Sequence, residues 1–315
     1  MRSPSSRFGI AVVGLNPRGW HLLEQLGLRD DVLVTGAWDL DDALRLKASE
    51  QGWTSPDRLD TLLEQSATKG VAIAVPLSQR ADLVRRCLSL GRHVLTEPPV
   101  AVSADAAREL YDVAAARGCC LWAASPRRWD DDLLAAAAAV RSSRLGSLHA
   151  IRFSSAEWAP WARVANSGPP DEPRSTLDVL APHIVDQLAQ LTTANVSNLW
   201  VQPLRAEDGF LAVLTLANGV IVQLDVRRRS LAGLQAGWML EGLRAGYRSR
   251  RTYTPTPDGE IVDEPVRCEP MPADALLREW LQRCQSGASD TAERQRGEWV
   301  AGVCEQLLQA SADVS

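Results

Sequence analysis

No apolar run in these 315 residues approaches the ~20 needed to cross a bilayer, so a membrane-spanning helix is not expected. Positive charge is in short supply too: 34 lysines and arginines face 39 aspartates and glutamates, for a net charge of −5 and a pI of 5.5. That balance argues against nucleic acid or an anionic membrane surface as a partner. The Arg227-Arg228-Arg229 run is too brief to change it and reads as the decorated end of a solvated strand. Histidine is scarce, four in all, and the six cysteines (87, 119, 120, 268, 284 and 304) show no Cys-x-x-Cys spacing. No metal site is expected from them. They read as small buried hydrophobes in a reducing, cytoplasmic compartment. The first six residues are polar and run straight into a strand, so a secretory leader is not expected either. Internal repeats and low-complexity tracts are missing; the alanines 135–139 are simply good helix formers.

What is present is alternation. Phe8–Val13 is a short continuous apolar run, as expected for a strand covered on both faces, and it stops at Gly14. A helix over Arg18–Leu26, closed by Gly27, leads to a second strand, Val32–Trp38. Asp41–Gln51 reads as a helix, Val71–Val75 as a buried strand stopped by Pro76, and Ser78 as the N-cap of a helix to Leu90. His93–Thr96 is the next strand, Ser103 caps a helix to Arg117, Cys119–Ala123 is a strand, and Trp129–Arg141 a helix. Such βαβ alternation predicts a doubly wound parallel sheet of the Rossmann type.

The first turn carries the first functional signal. Gly14-Leu-Asn-Pro-Arg-Gly19 has the Gly-x-Gly-x-x-Gly spacing with Asn16 at the middle glycine. That spacing suits a tight turn presenting pyrophosphate to a helix N-terminus. Asn tolerates positive φ, which is one way the substitution would be absorbed. Pro17 lies inside the turn, and Arg18 offers a phosphate contact. Asp39, at the end of the second strand, stands where a carboxylate would hold adenosine ribose hydroxyls and repel a 2′-phosphate. It favours NAD, with NADP possible; alternatively Asp39 only caps the next helix.

Several segments in order resemble the Gfo/Idh/MocA oxidoreductases. They are Val13–Gly19, Ala74–Arg80, Gly91–Pro99, Ser125-Pro-Arg-Arg-Trp129 and Leu145-Gly-Ser-Leu-His149. The resemblance implies a Rossmann domain over residues 1–125. A substrate and oligomerisation domain over 126–315 would follow, with a large, open, mostly antiparallel sheet. The last helix of such proteins commonly packs back on the first domain. It also implies that Val75, Pro76 and Ser78 line the nicotinamide, that Arg80 replaces a common histidine, and that Glu97 sits near the nicotinamide ribose. The usual Glu-Lys-Pro tripeptide appears here as Glu97-Pro98-Pro99, so the family's acid/base lysine is absent. Proline has no side-chain proton to give.

The second half fits that outline. Strands are expected over Ser147–Trp158, Val196–Leu204, Gly209–Leu216, Val220–Arg228 and Gly237–Leu243, with a hairpin at Asn218-Gly219. Helices are expected over about Ala273–Gln285 and Thr291–Ala310. Leu177–Asp186 resembles the family helix bearing an aspartate and, four residues on, a histidine. His183 is present, but Val179 holds the aspartate's place and Asp178 lies about 100° round the helix. Pro182 would have to distort the helix to bring Asp178 round. His183 is either the proton donor or acceptor or a structural histidine; Asp186 either orients it or caps and solvates. Arg127 and Arg128 stand where a substrate carboxylate or phosphate would be held. Trp158 and Trp161 either stack on a planar substrate or pack under a loop. The turn-rich stretch 166–173 is either a lid or a connection.

Two functions follow. The first is an NAD(P)-dependent oxidoreductase moving hydride between the nicotinamide C4 and a small organic substrate. It reduces an activated C=N or C=C bond or acts on a sugar or alcohol. The second is an inactive relative that binds nucleotide or metabolite. Either is expected to form a homodimer or homotetramer through the C-terminal sheet.

Overall fold

A computed structural model describes residues 7–156, 175–204, 209–228, 236–269, 271–286 and 290–312. The chain divides into two compact units. One comprises Met1–Ala124 and Ala273–Ala301; the other, Ser125–Pro272 and Gly302–Ser315.

The first unit is built on five parallel strands in the order β2-β1-β3-β4-β5. They are β1 (Phe8–Val13), β2 (Val32–Trp38), β3 (Gly70–Ile73), β4 (His93–Thr96) and β5 (Leu121–Ala123). Between them run α1 (Pro17–Gly27), α2 (Asp42–Glu50), α3 (Leu59–Leu63), α4 (Leu77–Ser89) and α5 (Ala104–Ala116). The strands are short and apolar because both faces are covered: Ile10, Ala11, Val12, Val71 and Ala72 have no solvent exposure. Val84, Leu88 and Leu110 fill one core against Val13, Ile73 and Val94. α8 (Ala275–Ser286) anchors here through Trp280, which is fully buried with its ring against Gly70; a Cβ on that glycine would lie 3.0 Å from the indole.

Several boundaries move from their expected places. Ser103 does cap α5, accepting from Ala106 N. Ser78 does not cap α4. The helix begins two residues earlier, Pro76 is its N-cap without a side-chain bond, and Ser78 lies within the first turn. α3 is too short for hydrophobic periodicity to register. The helix expected over Trp129–Arg141 is two pieces, a 3₁₀ turn (Pro126–Trp129) and α6 (Asp131–Arg141), parted at Asp130 in extended backbone.

The second unit holds an eight-stranded sheet in the order β13-β12-β11-β10-β6-β9-β8-β7. Its strands are β6 (Leu148–Ala156), β7 (Val196–Pro203), β8 (Gly209–Leu216), β9 (Ile221–Arg227), β10 (Gly237–Gly242), β11 (Gly246–Arg248), β12 (Arg251–Pro255) and β13 (Ile261–Pro265). β6 and β9 pair in parallel and the other neighbours antiparallel. The Asn218-Gly219 turn joins β8 to β9 as expected, with Gly219 at φ +83°. The last three strands escape a reading of alternation: β11 is three residues long and β13 is exposed throughout. α6 is tied to the sheet by Asp132, which accepts from Trp238 N (2.7 Å) and the Tyr247 hydroxyl (2.9 Å). Burial and that carboxylate push the Tyr247 phenol far above its ordinary value. α7 (Thr176–Leu188) and α9 (Thr291–Ala312) complete the elements described. Among the described residues no helix is long and apolar enough to cross a membrane.

Candidate functional site

The strand order of the first unit reverses between β1 and β3, and ligands of open α/β sheets bind outside the carboxyl ends at such a point. The residues there explain the two glycines. Gly14 ends β1 at φ +92°, and a Cβ on it would lie 2.3 Å from the Ala74 carbonyl oxygen. A Cβ on Gly19 would lie 1.7 Å from the Gly14 carbonyl oxygen. Neither position admits a side chain without moving backbone.

Asn16 is handled differently from the sequence expectation. It is not at positive φ but extended, at φ −64° and ψ 172°. Its Oδ1 caps α1, accepting from Arg18 N and Gly19 N at 3.0 Å each, and its Nδ2 donates to the Ala74 carbonyl at 2.8 Å. Pro17 takes the first helical position, where the missing N–H costs nothing.

Asp39 is not the cap of α2; Asp41 is, accepting from Ala43 N at 2.8 Å. Asp39 instead accepts from Leu15 N (2.6 Å) and Asp41 N (2.9 Å), fixing the turn after β1 to the end of β2. A carboxylate offers about four acceptor positions, so two remain for ribose hydroxyls.

Beyond β3 and β4 the chain forms a cationic cluster. Arg80 is buried, with its guanidinium on the carbonyls of Val75 (3.0 Å), Glu97 (3.1 Å) and Pro99 (2.6 Å) and 3.4 Å from the Glu97 carboxylate. Arg18 forms an ion pair with the same carboxylate. The Pro98–Pro99 peptide is cis. Arg80 thus replaces a histidine with a clamp that holds the Glu97-Pro98-Pro99 segment against the end of β3.

In the second unit, His183 lies on α7 with Nδ1 3.1 Å from the Ser125 hydroxyl, which also accepts from Arg127 N at 3.2 Å. The hydroxyl keeps one proton to donate and one lone pair to accept with. It therefore pairs with a neutral ring by donating and with an imidazolium by accepting. Sequence reasoning missed Ser125; only its place beside the arginines of Ser125–Trp129 could have marked it.

Three expected partners are spent elsewhere. Asp178 is exposed and closes the capping box of α7, its Oδ2 accepting from Ser175 N at 2.9 Å. Pro182 does not bring it round to His183. Asp186, fully buried, accepts from Ser125 N (3.0 Å) and from Arg128 through Nε (2.9 Å) and Nη2 (2.6 Å), and Arg128 is buried with it. Asp186 thus holds the Ser125 backbone, and Arg128 is its counter-ion. Gln187 adds bonds to the Arg127 carbonyl (2.7 Å) and Asp130 (2.9 Å).

His183 lines a small pocket with Arg127, Phe153, Ser155, Leu180, Ile184, Val226, Arg227 and Arg228. The arginine run expected to decorate a strand end contributes two residues to the histidine's pocket. Arg227 is bidentate to Asp225 (2.8 and 2.9 Å). Trp158, Trp161 and the stretch 166–173 lie outside the described residues. Among the described residues no cluster could hold a metal ion.

A nicotinamide dinucleotide fits the first unit at its adenosine end: the glycines admit close approach and Asp39 retains acceptor positions for ribose. Its pyrophosphate would meet amides that Asn16 already caps.

Comparison with known proteins agrees with this geometry. Residues 8–125 match the model of an oxidoreductase family with an NAD-binding Rossmann fold. An uncharacterized oxidoreductase of Schizosaccharomyces pombe is 30% identical over 206 residues, 60% of this chain and 54% of that protein. The chain spans about half the length of that relative. The rhizopine catabolism protein MocA of Rhizobium meliloti is 25% identical over 292 residues, 90% of this chain and 88% of that protein. An NAD-binding protein from Listeria innocua superposes with a TM-score of 0.81 at 17% identity, covering 98% of both chains. GenD2 from gentamicin A biosynthesis, solved in complex with NAD, gives 0.75 at 21%, covering 98% of this chain and 95% of that one. At these identities the structural likeness is one of fold.

Proposed function

We propose, from the match of residues 8–125 to the Gfo/Idh/MocA model, that this chain is an NAD-dependent oxidoreductase of that family acting on a small organic molecule. The observation that carries the reading is the switch-point turn, where Gly14 and Gly19 leave no room for side chains and Asp39 faces it with free acceptor positions. Asp39 supports NAD over NADP, because a 2′-phosphate there would meet a carboxylate.

The nicotinamide dinucleotide supplies or accepts the hydride when bound. The protein's part is the proton. With Pro98 in the lysine's place, His183 is the group we assign to it. Ser125 follows the ring through both protonation states, so the imidazole can give a proton to a substrate atom or take one from it. General acid–base help of this kind is worth about 10²–10⁴-fold. The missing lysine favours a substrate that needs little more, such as an activated C=N or C=C bond, over a simple sugar alcohol. Arg127 and Arg228 beside His183 favour one bearing a carboxylate or phosphate.

The exposed sheet face carrying Trp200, Ile221, Arg152 and Met239 suits a homodimer or homotetramer, which sedimentation would detect. A cytoplasmic location is proposed on the free cysteines.

The test is NADH turnover with acidic imines, enones and sugar alcohols, comparing the parent with His183→Ala and Pro98→Lys. The reading expects parent activity on an activated acceptor that His183→Ala abolishes. Activity confined to Pro98→Lys, on an alcohol, would instead support the second reading, a decayed enzyme that binds ligand without turning it over. The departures at Asn16, Pro98 and Val179 are what favour that alternative.

A further inference from the structure

Counting the amide hydrogens of the turn after β1 leaves few for a phosphate. Gly14 N donates to the Trp38 carbonyl at 2.8 Å and Leu15 N to Asp39 Oδ2 at 2.6 Å. Pro17 has no N–H. Arg18 N and Gly19 N both donate to Asn16 Oδ1, and Trp20 N donates to the Asn16 carbonyl at 2.9 Å. The Asn16 side chain is itself held at its other end by the Ala74 carbonyl. Most of the donors that usually meet pyrophosphate at such a helix start, all of those inside α1 among them, are therefore occupied by the protein.

A cation stands beside them. The Arg18 guanidinium is paired with Glu97, and Glu97 is shared with Arg80. Two positive side chains thus divide one carboxylate. They differ in freedom: the Arg18 side chain is 31% exposed and the Arg80 side chain 6%. Arg18 can leave without stranding Glu97, because Arg80 stays. A pyrophosphate brings two negative charges to replace the one that Arg18 gives up.

Building on the dinucleotide reading above, we infer that the cofactor's pyrophosphate is recognised by the Arg18 guanidinium and not by the amides of the α1 N-terminus. The Arg18–Glu97 ion pair is then a latch that the dinucleotide opens by exchange. Binding of pyrophosphate-containing ligands is accordingly more sensitive to salt than binding of adenosine.

Calorimetric titration with ADP-ribose and with adenosine, which lacks the pyrophosphate, separates the possibilities. Losing a charge-assisted contact should weaken ADP-ribose binding to Arg18→Ala about tenfold. Removing the competitor in Glu97→Gln should tighten it by a similar factor, about tenfold. Adenosine binding should not change in either, and the double variant should behave as Arg18→Ala. Arg18 is partly exposed, so Arg18→Ala decides the matter alone if Glu97→Gln does not fold. ADP-ribose affinity indifferent to both substitutions would overturn the latch while leaving the cofactor reading intact. No binding of ADP-ribose or NADH by any of these proteins would remove the cofactor reading itself, and the latch with it.

Discussion

The turn after β1 and the helix bearing His183 depart from the Gfo/Idh/MocA pattern in different ways. At the turn, the two glycines that the backbone cannot replace are present, and the one position with room, Asn16, carries a side chain. The acid/base positions have no such steric limit, and there the residues differ: Pro98 in the first unit stands for the lysine of the Gfo/Idh/MocA pattern, and Val179 in the second for its aspartate. The difference teaches that a binding scaffold is held by steric necessity, whereas proton chemistry can be carried by whichever side chain reaches the reacting atom. The turn after β1 is therefore the more predictable region, and the surroundings of His183 are where this chain's individuality lies.

Substitutions can break that comparison. The largest effect on activity should come from His183→Ala, with turnover falling about 10²–10⁴-fold while NADH affinity is kept. If turnover survives, His183 is structural and the substrate needs no protein acid. Ser125→Ala should follow with a smaller loss and an altered pH profile, since the ring then loses the partner of its Nδ1.

The largest effect on stability should come from Asp186→Ala, which strands the buried Arg128 cation; breaking such a pair costs about 3–5 kcal/mol. Gly19→Ala forces a Cβ against the Gly14 carbonyl and should cost about 1–3 kcal/mol together with NADH binding. Both are measured by urea unfolding. Asn16→Ala should cost about 1 kcal/mol through the lost cap, without the steric collapse of Gly19→Ala. Equal costs at 16 and 19 would erase the distinction between a position with room and one without.

The smallest effect concerns pH. Burial holds the His93 imidazole below its ordinary value, and its Nδ1 accepts from Cys120 N at 2.9 Å. The unfolded chain thus binds a proton at this residue more readily than the folded one, and stability falls as pH drops below about 6.5. Melting temperatures at pH 7.5 and 5.5 should differ less in His93→Gln than in the parent.

Much of this was legible in the sequence because local signals and tertiary demands coincide in the Rossmann half. β1, β2 and β4 end where Gly14, Trp38 and Thr96 say they should, and Asp39 at the end of β2 reaches the turn through Leu15 N. Asn16 was misread because a residue at a glycine's place suggests positive φ, whereas its amide found two donors and a carbonyl in an extended conformation. Asp178 was misread because helical spacing reports angle but not the capping bond a first-turn carboxylate prefers. Ser125 and the pocket role of Arg227 and Arg228 depend on pairing between distant segments, which no local pattern encodes. The strands β11–β13 carry too few residues or too little burial to alternate visibly.

The central proposal is that this chain holds a working NAD site without the lysine of the Gfo/Idh/MocA pattern. The most direct test is calorimetric titration of the intact protein with NADH and with NADPH. The account predicts saturable binding of one NADH per chain, tighter than NADPH. NADPH binding the tighter of the two would contradict the role given to Asp39, and binding of neither would contradict the account as a whole.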